Sequence, residues 1–478
     1  MANTGTKNNI LLLLLMAVLA VAASAAVIFA GPVKGVMVPG AVVGLFAGVY
    51  AIINYRFGFY AAIALGFFIF FAGRLAGQAF PSAFLVDILI WASFLGMLIE
   101  HSRKRVNVTL GGGHIISYGY LVYTLFLVGE VFNPNMASVE GWFFVLRKFL
   151  QFVLIYIIAL NVFSDLRKIY FFIRFWAILS LIAGFYGCFQ EWFGFFDFEL
   201  DWVWSVPGRA GLYFLDNGMF RKFSILSDPA AFGIIMGSTF LVLLVMMLHM
   251  KRKIWKAAYA ITAFFVILGV GYSGTRTAYF VIAAGVALYI LMNITNKRTL
   301  VFASFCFLGF GFILYGPVYG NATINRIRTT FEFSEDASLK VRDENRHFIQ
   351  PYIYRNPMGG GLATSGIAGL DYNPGHTLAG FPPDSGFVKT AIETGWIGFF
   401  LQCLLYFLIL KSGIQTYYLS RNKYLRIVVL AAVVGVFTFI IAQYGQEAIG
   451  QVPGCFLFYS CLAIFVQARK FETSNKQI

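Results

Sequence analysis

The chain has 478 residues, of which 59% are hydrophobic and only 12% are charged, and its mean hydropathy is +0.77. This composition excludes an ordinary soluble domain and indicates a polytopic membrane protein in contact with the lipid bilayer. The formal net charge of +15 comes mainly from lysines and arginines between apolar runs, so it reports topology, and we expect no nucleic-acid partner.

Apolar runs of about 17 to 25 residues recur along the whole chain, each long enough to cross a hydrocarbon core of about 30 Å as a helix. About fourteen runs are present, and some are short or carry charge, so the predicted class is an all-α polytopic integral membrane protein with about 12–14 transmembrane helices. The first run, within residues 9–30, predicts an uncleaved helix, although it also resembles a signal peptide.

Lysines and arginines collect in alternate connections, including residues 103–105, 251–253 and 421–426. The positive-inside rule places these connections and both termini in the cytoplasm. Two of the opposite connections are unusually long, which is where function is expected in a bundle with short loops. The chain is therefore divided into amino-terminal transmembrane helices (1–190), an outer loop (191–224), central helices (225–315), a large outer loop carrying the catalytic elements (316–386), and carboxy-terminal helices with a short cytoplasmic tail (387–478).

The shorter outer loop contains Arg209 and Arg221 and ends in a helix-start signal, Ser227 to Pro229. A helix amino end beside Arg221 attracts anions, although the Asp228 side chain is an alternative cap. Beyond it, Arg276 lies in the short turn "GYSGTRTAYF" between two apolar runs. The positive-inside rule gives no reason for a cation on that side, which favours contact with a lipid-linked phosphate over a simple salt bridge.

The large outer loop is rich in arginine. The segment "ASLKVRDENRHFIQPYIY" predicts one or two helical turns before Pro351 interrupts, with Arg342 and Arg346 on one face. Arginine forks bind phosphate oxygens in pairs, so the group suits a pyrophosphate; the alternative is a solvated network with nearby acids. The loop arginines are Arg326, Arg328, Arg342, Arg346 and Arg355, and the alternative acidic partners are Glu335, Asp336, Asp343 and Glu344.

Two further patterns in the loop are weaker. Three consecutive glycines, Gly359 to Gly361, free backbone amides to approach an anion, but they also suit a tight turn. Elsewhere the five cysteines show no metal-like spacing, and neither a Walker-type loop nor a dinucleotide fingerprint is present. We therefore expect no metal and no cofactor.

Several elements between residues 206 and 406 resemble, in order and spacing, the O-antigen polymerase and O-antigen ligase superfamily of bacterial membrane glycosyltransferases. They are "RKFSILSDPAAFG", "SGTRTAYF", "RNPMGGG", "PPDSGFV" and "AIETGWIGFF". The resemblance implies a GT-C-like enzyme of the bacterial inner membrane with its active site on the periplasmic side. It implies metal-independent transfer of a glycan from undecaprenyl pyrophosphate to another glycan in polymerases or to lipid A core in ligases. A chain-length regulator is a further partner that the resemblance leaves open.

Carried over by motif, the resemblance implies three phosphate ligands: Arg221 before the "DP" helix start, Arg276 in the "SG.R" turn, and Arg342 before the "NP..G.G" turn. Arg209, Arg346 and Arg355 are further candidate pyrophosphate ligands. Many ligases carry a histidine and an asparagine where this chain reads Pro383, Asp384 and Ser385, and this departure favours a polymerase.

Three catalytic candidates remain. His376 and Asp384 are alternative general bases for the acceptor hydroxyl. Glu393, a turn or two into the returning helix, is a catalytic candidate or a group that positions an arginine. From a different functional class, a lipid-linked oligosaccharide flippase or transporter stays open, although its charged residues would be expected at mid-membrane depth, where the apolar runs of this chain are nearly free of charge.

Overall fold

A computed structural model describes residues 32–77, 83–136, 138–215, 218–331 and 337–474. Within these residues 11 helices are long and apolar enough to cross a membrane, and two shorter apolar helices accompany them. The extended contacts in the same part of the chain are two isolated bridges, Phe214 with Phe220 and Gly366 with Ala379. The predicted all-α polytopic class is confirmed, while the predicted helix within residues 9–30 lies outside the described residues.

The helices follow the predicted apolar runs, and the two long loops carry helices of their own. In chain order they are α1 (Pro32–Ile53), α2 (Tyr55–Leu75), α3 (Ala83–Lys104), α4 (Ile115–Gly129), α5 (Val139–Val162), α6 (Leu166–Trp192), α7 (Asp197–Trp204), α8 (Arg209–Tyr213), α9 (Pro229–His249), α10 (Lys253–Ser273), α11 (Arg276–Met292), α12 (Lys297–Tyr315), α13 (Ala322–Phe331), α14 (Ala337–Arg355), α15 (Gly366–Tyr372), α16 (Gly386–Leu419), α17 (Lys423–Ala442) and α18 (Gly454–Ser474).

The chain forms two compact units, and the first contains α1 to α3 together with residues 195–210. Helix α2 packs closely on its neighbours because Gly58 has no side chain: a Cβ there would lie 2.2 Å from the Ser93 hydroxyl oxygen. Helix α7 covers the end of α2, where the rings of Phe71 and Phe198 meet edge to face at 5.6 Å. Small residues and aromatic contacts therefore hold this unit together.

The second unit contains residues 108–194 and 211–478. At its centre lie α9, α17 and α18. In each of these helices, 83% of the most apolar stretch of 18 residues is buried. These helices are apolar all round, as buried helices are. Two polar contacts link buried groups of these helices: the Thr438 hydroxyl donates to Ser238 at 3.0 Å, and the Trp176 indole donates to Thr239 at 3.0 Å. Helix α12 is peripheral, because only 6% of its most apolar stretch of 18 residues is buried.

The basic connections of the second unit meet at one end. The Tyr170 hydroxyl on α6 donates to the Tyr424 carbonyl on α17 at 3.2 Å, and the Arg421 amide donates to Glu472 on α18 at 3.0 Å. The Tyr417 hydroxyl on α16 donates to the Asn293 side chain at 2.8 Å, so the α11–α12 turn lies at the same end. The helices then run to the opposite end, where residues 316–331 and 337–385 lie. The basic connections and the described residues of the large loop therefore lie at opposite ends of the second unit.

The predicted helix start at residues 227–229 is confirmed, and the predicted interruption at Pro351 is wrong. The Asp228 carboxylate caps α9 by accepting from the amides of Ala230 and Ala231, both at 2.9 Å. Helix α14 runs through Pro351 as far as Arg355. Proline disfavours a helix interior locally, but packing of the neighbouring apolar side chains on one face of α14 outweighs that preference here.

Candidate functional site

The candidate site lies at the end of the second unit formed by α11, α13, α14, the loop of residues 356–385 and the first turns of α16. A small apolar cluster fixes α14 in place: Ile349 packs with Leu378 from the loop and Ile392 from α16. The polar side chains of α14 are thereby held at defined positions along the helix. This end of the bundle gathers most of the residues predicted from the sequence.

Helix α16 is broken at Gly395, whose φ of 64° is in the left-handed region. The glycine loop docks on this break. The Gly360 amide donates to the Ile392 carbonyl and the Gly361 amide donates to the Glu393 carbonyl, both at 2.8 Å. These two amides are therefore bound by α16, and their role is to close the turn rather than to approach an anion.

The same loop is held from the amino-terminal part of the second unit. The Asn133 side chain donates to the Met358 carbonyl at 2.7 Å, and the Asn135 side chain donates to the Gly359 carbonyl at 2.8 Å. Both asparagines lie in the short connection between α4 and α5. Buried carbonyls need such partners, so the loop depends on residues more than 200 positions away in the sequence.

Three arginines from three helices come together at the site. Arg276 is the first residue of α11 and lies within electrostatic range of Arg326 on α13 and Arg342 on α14. The Arg326 Nε atom donates to the Gly274 carbonyl at 3.2 Å, which anchors α13 beside the turn before α11. Like charges gathered in one place attract anions, so the cluster favours an anionic ligand.

Arg221 joins several segments next to this cluster. Its guanidinium donates to the Ser273 carbonyl, the Leu212 carbonyl and the Thr275 hydroxyl, each at 3.0 Å. Burial, followed by the charge of Arg326, lowers the pKa of Arg221. These three hydrogen bonds fix the turn that presents Arg276. The amide groups at the start of α9 are capped by Asp228, so they do not offer the open anion site considered above.

Arg342 also lines a pocket with Arg346 and Asp384. The Asn345 side-chain amide donates to the Asp384 carboxylate at 3.1 Å and so ties α14 to the segment just before α16, which begins at Gly386. Arg346 donates to the Tyr444 hydroxyl at 2.7 Å, and its guanidinium lies 4.4 Å from the centre of that ring. A carboxylate and two guanidinium groups therefore share one pocket.

His376 and Asp384 contact different parts of α14. The His376 ring lies 6.4 Å from the Tyr352 ring, whereas Asp384 binds Asn345. Seven residues separate Tyr352 from Asn345, which is about 10 Å along a helix. The His376 Nδ1 atom accepts from the Leu378 amide at 3.1 Å, and burial lowers the pKa of this imidazole. Its lone pair is thus already used by the loop.

Glu393 is buried, with 3% of its surface exposed. Its carboxylate accepts hydrogen bonds from the hydroxyl and the amide of Ser365, the residue that precedes α15. Lys389, one turn earlier on α16, pairs with Glu447 at 2.8 Å. Glu393 therefore secures the loop that packs on α16, and it is not among the residues that line the pocket with Asp384.

Two predicted phosphate ligands differ from the others. Arg355 is exposed at the end of α14, 13 residues beyond Arg342, or about 20 Å along the helix, so it is separated from the Arg342 end of the cluster. Arg209 belongs to the first unit, where it donates to the Trp202 carbonyl at 2.6 Å and stacks on that indole at 4.4 Å. Its role as a phosphate ligand stays a prediction.

Of the four acids that are alternative partners of the loop arginines, two lie within the described residues. Glu335 and Asp336 lie outside the described residues, and Asp343 contacts His347 at 3.5 Å. Sequence reasoning included Arg326 in the arginine-rich group of the loop but not among the phosphate ligands implied by motif, and it gave no site role to Asn345. Asn345 follows Arg342 by three residues, so the helical turns predicted before Pro351 already place both side chains on one face.

In the described part of the chain, no group of three or more histidine, cysteine, aspartate or glutamate side chains is placed to hold a metal ion. The five cysteines are free thiols.

Residues 261–403 match the family model described as O-Antigen ligase. No curated protein matches the chain. The matched segment contains Arg276, Arg326, Arg342 and Asp384, and the family implies a membrane glycosyltransferase of the O-antigen ligase or polymerase type. This segment is therefore similar to the O-antigen ligase family, which supports the resemblance of the chain to the O-antigen polymerase and O-antigen ligase superfamily.

Proposed function

We propose that the protein transfers a glycan from undecaprenyl pyrophosphate to an acceptor hydroxyl in the assembly of a surface polysaccharide. The observation that supports this function is the convergence of Arg276, Arg326 and Arg342 beside the pocket that holds Asp384. Arginines fixed on three helices are well suited to a pyrophosphate, because they need little rearrangement as negative charge develops on the leaving group.

The proposed location is the periplasmic face of a bacterial inner membrane. The basic connections lie at one end of the second unit and the candidate site at the other. Since cytoplasmic connections carry the excess of lysine and arginine, the site end is assigned to the outside. By the same rule, both termini of the chain are proposed to lie in the cytoplasm.

In the proposed reaction the acceptor oxygen attacks the anomeric carbon of the donor sugar while the bond from that carbon to the pyrophosphate oxygen breaks. The electron pair of the broken bond leaves with undecaprenyl pyrophosphate, and the hydroxyl proton passes to Asp384. One displacement inverts the anomeric configuration. The arginines provide the positive charge for the leaving group, so the proposed reaction is metal-independent.

Asp384 is preferred to His376 as the general base. Asp384 shares a pocket with Arg342 and Arg346, whereas His376 uses its Nδ1 lone pair within the loop. A general base must reach the hydroxyl proton, so geometry decides first. Arg221 and Glu393 are proposed as positioning residues, because each holds backbone segments of the site.

Polymerase and ligase activities differ in the acceptor. The sequence Pro383-Asp384-Ser385, where many ligases carry histidine and asparagine, favours a polymerase. The deciding assay uses the purified protein in detergent with a synthetic undecaprenyl-pyrophosphate-linked repeat unit as sole substrate, without nucleotide or added divalent metal. A ladder of products on a gel identifies a polymerase. Reaction only after addition of lipid A core identifies a ligase, and no reaction with either acceptor overturns the enzyme assignment in favour of a transporter.

A further inference from the structure

A second polar pocket lies at the basic end of the second unit, opposite the candidate site. It is enclosed by the end of α9, the α11–α12 turn and the α16–α17 turn, and it has a volume of about 530 Å³. Cavities of this size are typical of small-ligand sites. The proposed glycosyl transfer does not use this pocket.

The pocket is lined by three cations, Arg421, Lys423 and Arg426. None of the 14 lining residues, all within the described chain, is acidic. The nearby carboxylate of Glu472 accepts from the backbone amides of Arg421 and Asn422, at 3.0 and 3.1 Å. The positive-inside rule explains cations at this end of the bundle, but it does not explain why three of them surround one cavity.

The floor of the pocket is fixed. Tyr417 is 3% exposed, its hydroxyl donates to the Asn293 side chain at 2.8 Å, and the Arg426 guanidinium lies 4.6 Å from the centre of its ring. Stacking on a buried ring restricts a guanidinium while leaving its edge to donate hydrogen bonds. Arg426 is thus held in a position that suits a phosphate group.

The rim of the pocket is apolar. Leu291, Ile294 and Tyr418 line it and are 64%, 51% and 59% exposed. Such side chains at the end of membrane-spanning helices contact acyl chains, while the cations beside them contact headgroups. The arrangement of an apolar rim around a basic pocket fits a molecule that has both parts.

We propose that this pocket binds the phosphate-bearing headgroup of an anionic phospholipid, with the acyl chains lying along the exposed side chains of the rim. Basic pockets between helices on the cytoplasmic side of a membrane are suited to such headgroups. The phosphodiester accepts from the guanidinium edges, and its net negative charge is compensated by the three cations. The proposal does not depend on the glycosyl-transfer activity.

The test measures saturable binding of short-chain dioctanoyl phosphatidylglycerol to the full-length protein in a nonionic detergent by isothermal titration calorimetry. Three proteins are compared: the wild type, the pocket variant Arg421→Gln/Lys423→Gln/Arg426→Gln, and the control variant Lys251→Gln/Arg252→Gln/Lys253→Gln. The control removes the same charge from exposed residues at the same end of the bundle that do not line the pocket. Gel filtration and helix content establish that each variant is folded.

We expect similar affinities for the wild type and the control, and affinity at least about tenfold weaker for the pocket variant, because each cation near a headgroup adds to binding. Dioctanoyl phosphatidylcholine, which carries phosphate but no net charge, should bind none of the three proteins saturably. Equal loss of affinity in both variants overturns the proposal, since it shows only a general effect of charge. Inorganic phosphate that binds as tightly as phosphatidylglycerol overturns the assignment to a lipid.

Discussion

The side-chain amide of Asn345 donates to the carboxylate of Asp384 at 3.1 Å, joining the helix that carries Arg342 and Arg346 to the proposed general base. An amide at position 384 keeps an acceptor for this bond but cannot take a proton. We therefore predict that Asp384→Asn preserves the fold and lowers the transfer rate by a factor of about 10² to 10⁴.

The measurement is the initial rate with the lipid-linked repeat unit, and Asp371→Asn is the matched control because Asp371 is exposed in α15. Wild-type rates in Asp384→Asn would remove Asp384 from the mechanism.

A second prediction separates arginines on one helix. Arg342→Ala should lower the rate by a factor of about 10² to 10³, as expected for loss of one group that stabilises a developing charge. Arg342→Lys keeps the charge but loses the planar fork, so it should restore only part of the activity. Arg355→Ala, on the same helix but about 20 Å away, should retain wild-type activity. Equal losses at residues 342 and 355 would contradict the proposed site.

The third prediction concerns the same cluster. Arg276→Ala and Arg326→Ala should each abolish most of the transfer while leaving membrane insertion intact, because the two charges lie within electrostatic range of each other and are proposed to bind one pyrophosphate. Lower affinity for undecaprenyl pyrophosphate, measured as product inhibition, should accompany the loss of rate. A variant that loses activity but keeps normal product inhibition would exclude that arginine from the pyrophosphate site.

The fourth prediction concerns His376, which accepts from the Leu378 amide. An asparagine side chain can accept the same type of bond from the amide two residues on. His376→Asn should therefore retain most of the transfer activity if Asp384 is the base. A loss of about 10² or more in rate, with unchanged unfolding temperature, would instead assign the proton transfer to His376.

The fifth prediction concerns the break in α16. A side chain at Gly395 would meet the Pro357 carbonyl oxygen at 1.9 Å, and the backbone φ of 64° is unfavourable for alanine. Gly395→Ala should lower the unfolding temperature and the yield of folded protein, with a cost of at least about 1–3 kcal/mol. Gly309→Ala on α12 is the control, since no atom lies within 4 Å of a Cβ there. Equal stability of the two variants would argue against the observed break.

Sequence reasoning predicted what depends on neighbouring residues. Apolar length determines a transmembrane helix, and the pair Asp228 and Pro229 determines where α9 begins. The continuity of α14 depends instead on the packing of Ile349 against other elements. The local conformational preference of proline gives no information about such contacts. Tertiary packing therefore outweighs the local tendency of Pro351 to end the helix.

The same limit applies to the candidate site. Motif order assigned Arg276 and Arg342 to one site, and the two arginines lie within electrostatic range of each other. It did not separate Arg355 from them, because that spacing depends on the length of α14. Arg326 carried no motif. Its place in the cluster follows from its hydrogen bond to the Gly274 carbonyl, a contact between elements that no local pattern encodes.

The hydrogen bonds from Asn133 and Asn135 to the glycine loop have a consequence for protein engineering. The matched segment 261–403 is not a transplantable module, because two carbonyls of its loop receive their donors from the α4–α5 connection. A chimera that exchanges only that segment with a relative separates the loop from its donors. A crossover placed before Asn133 keeps them together and is the boundary at which specificity can be exchanged with the site intact.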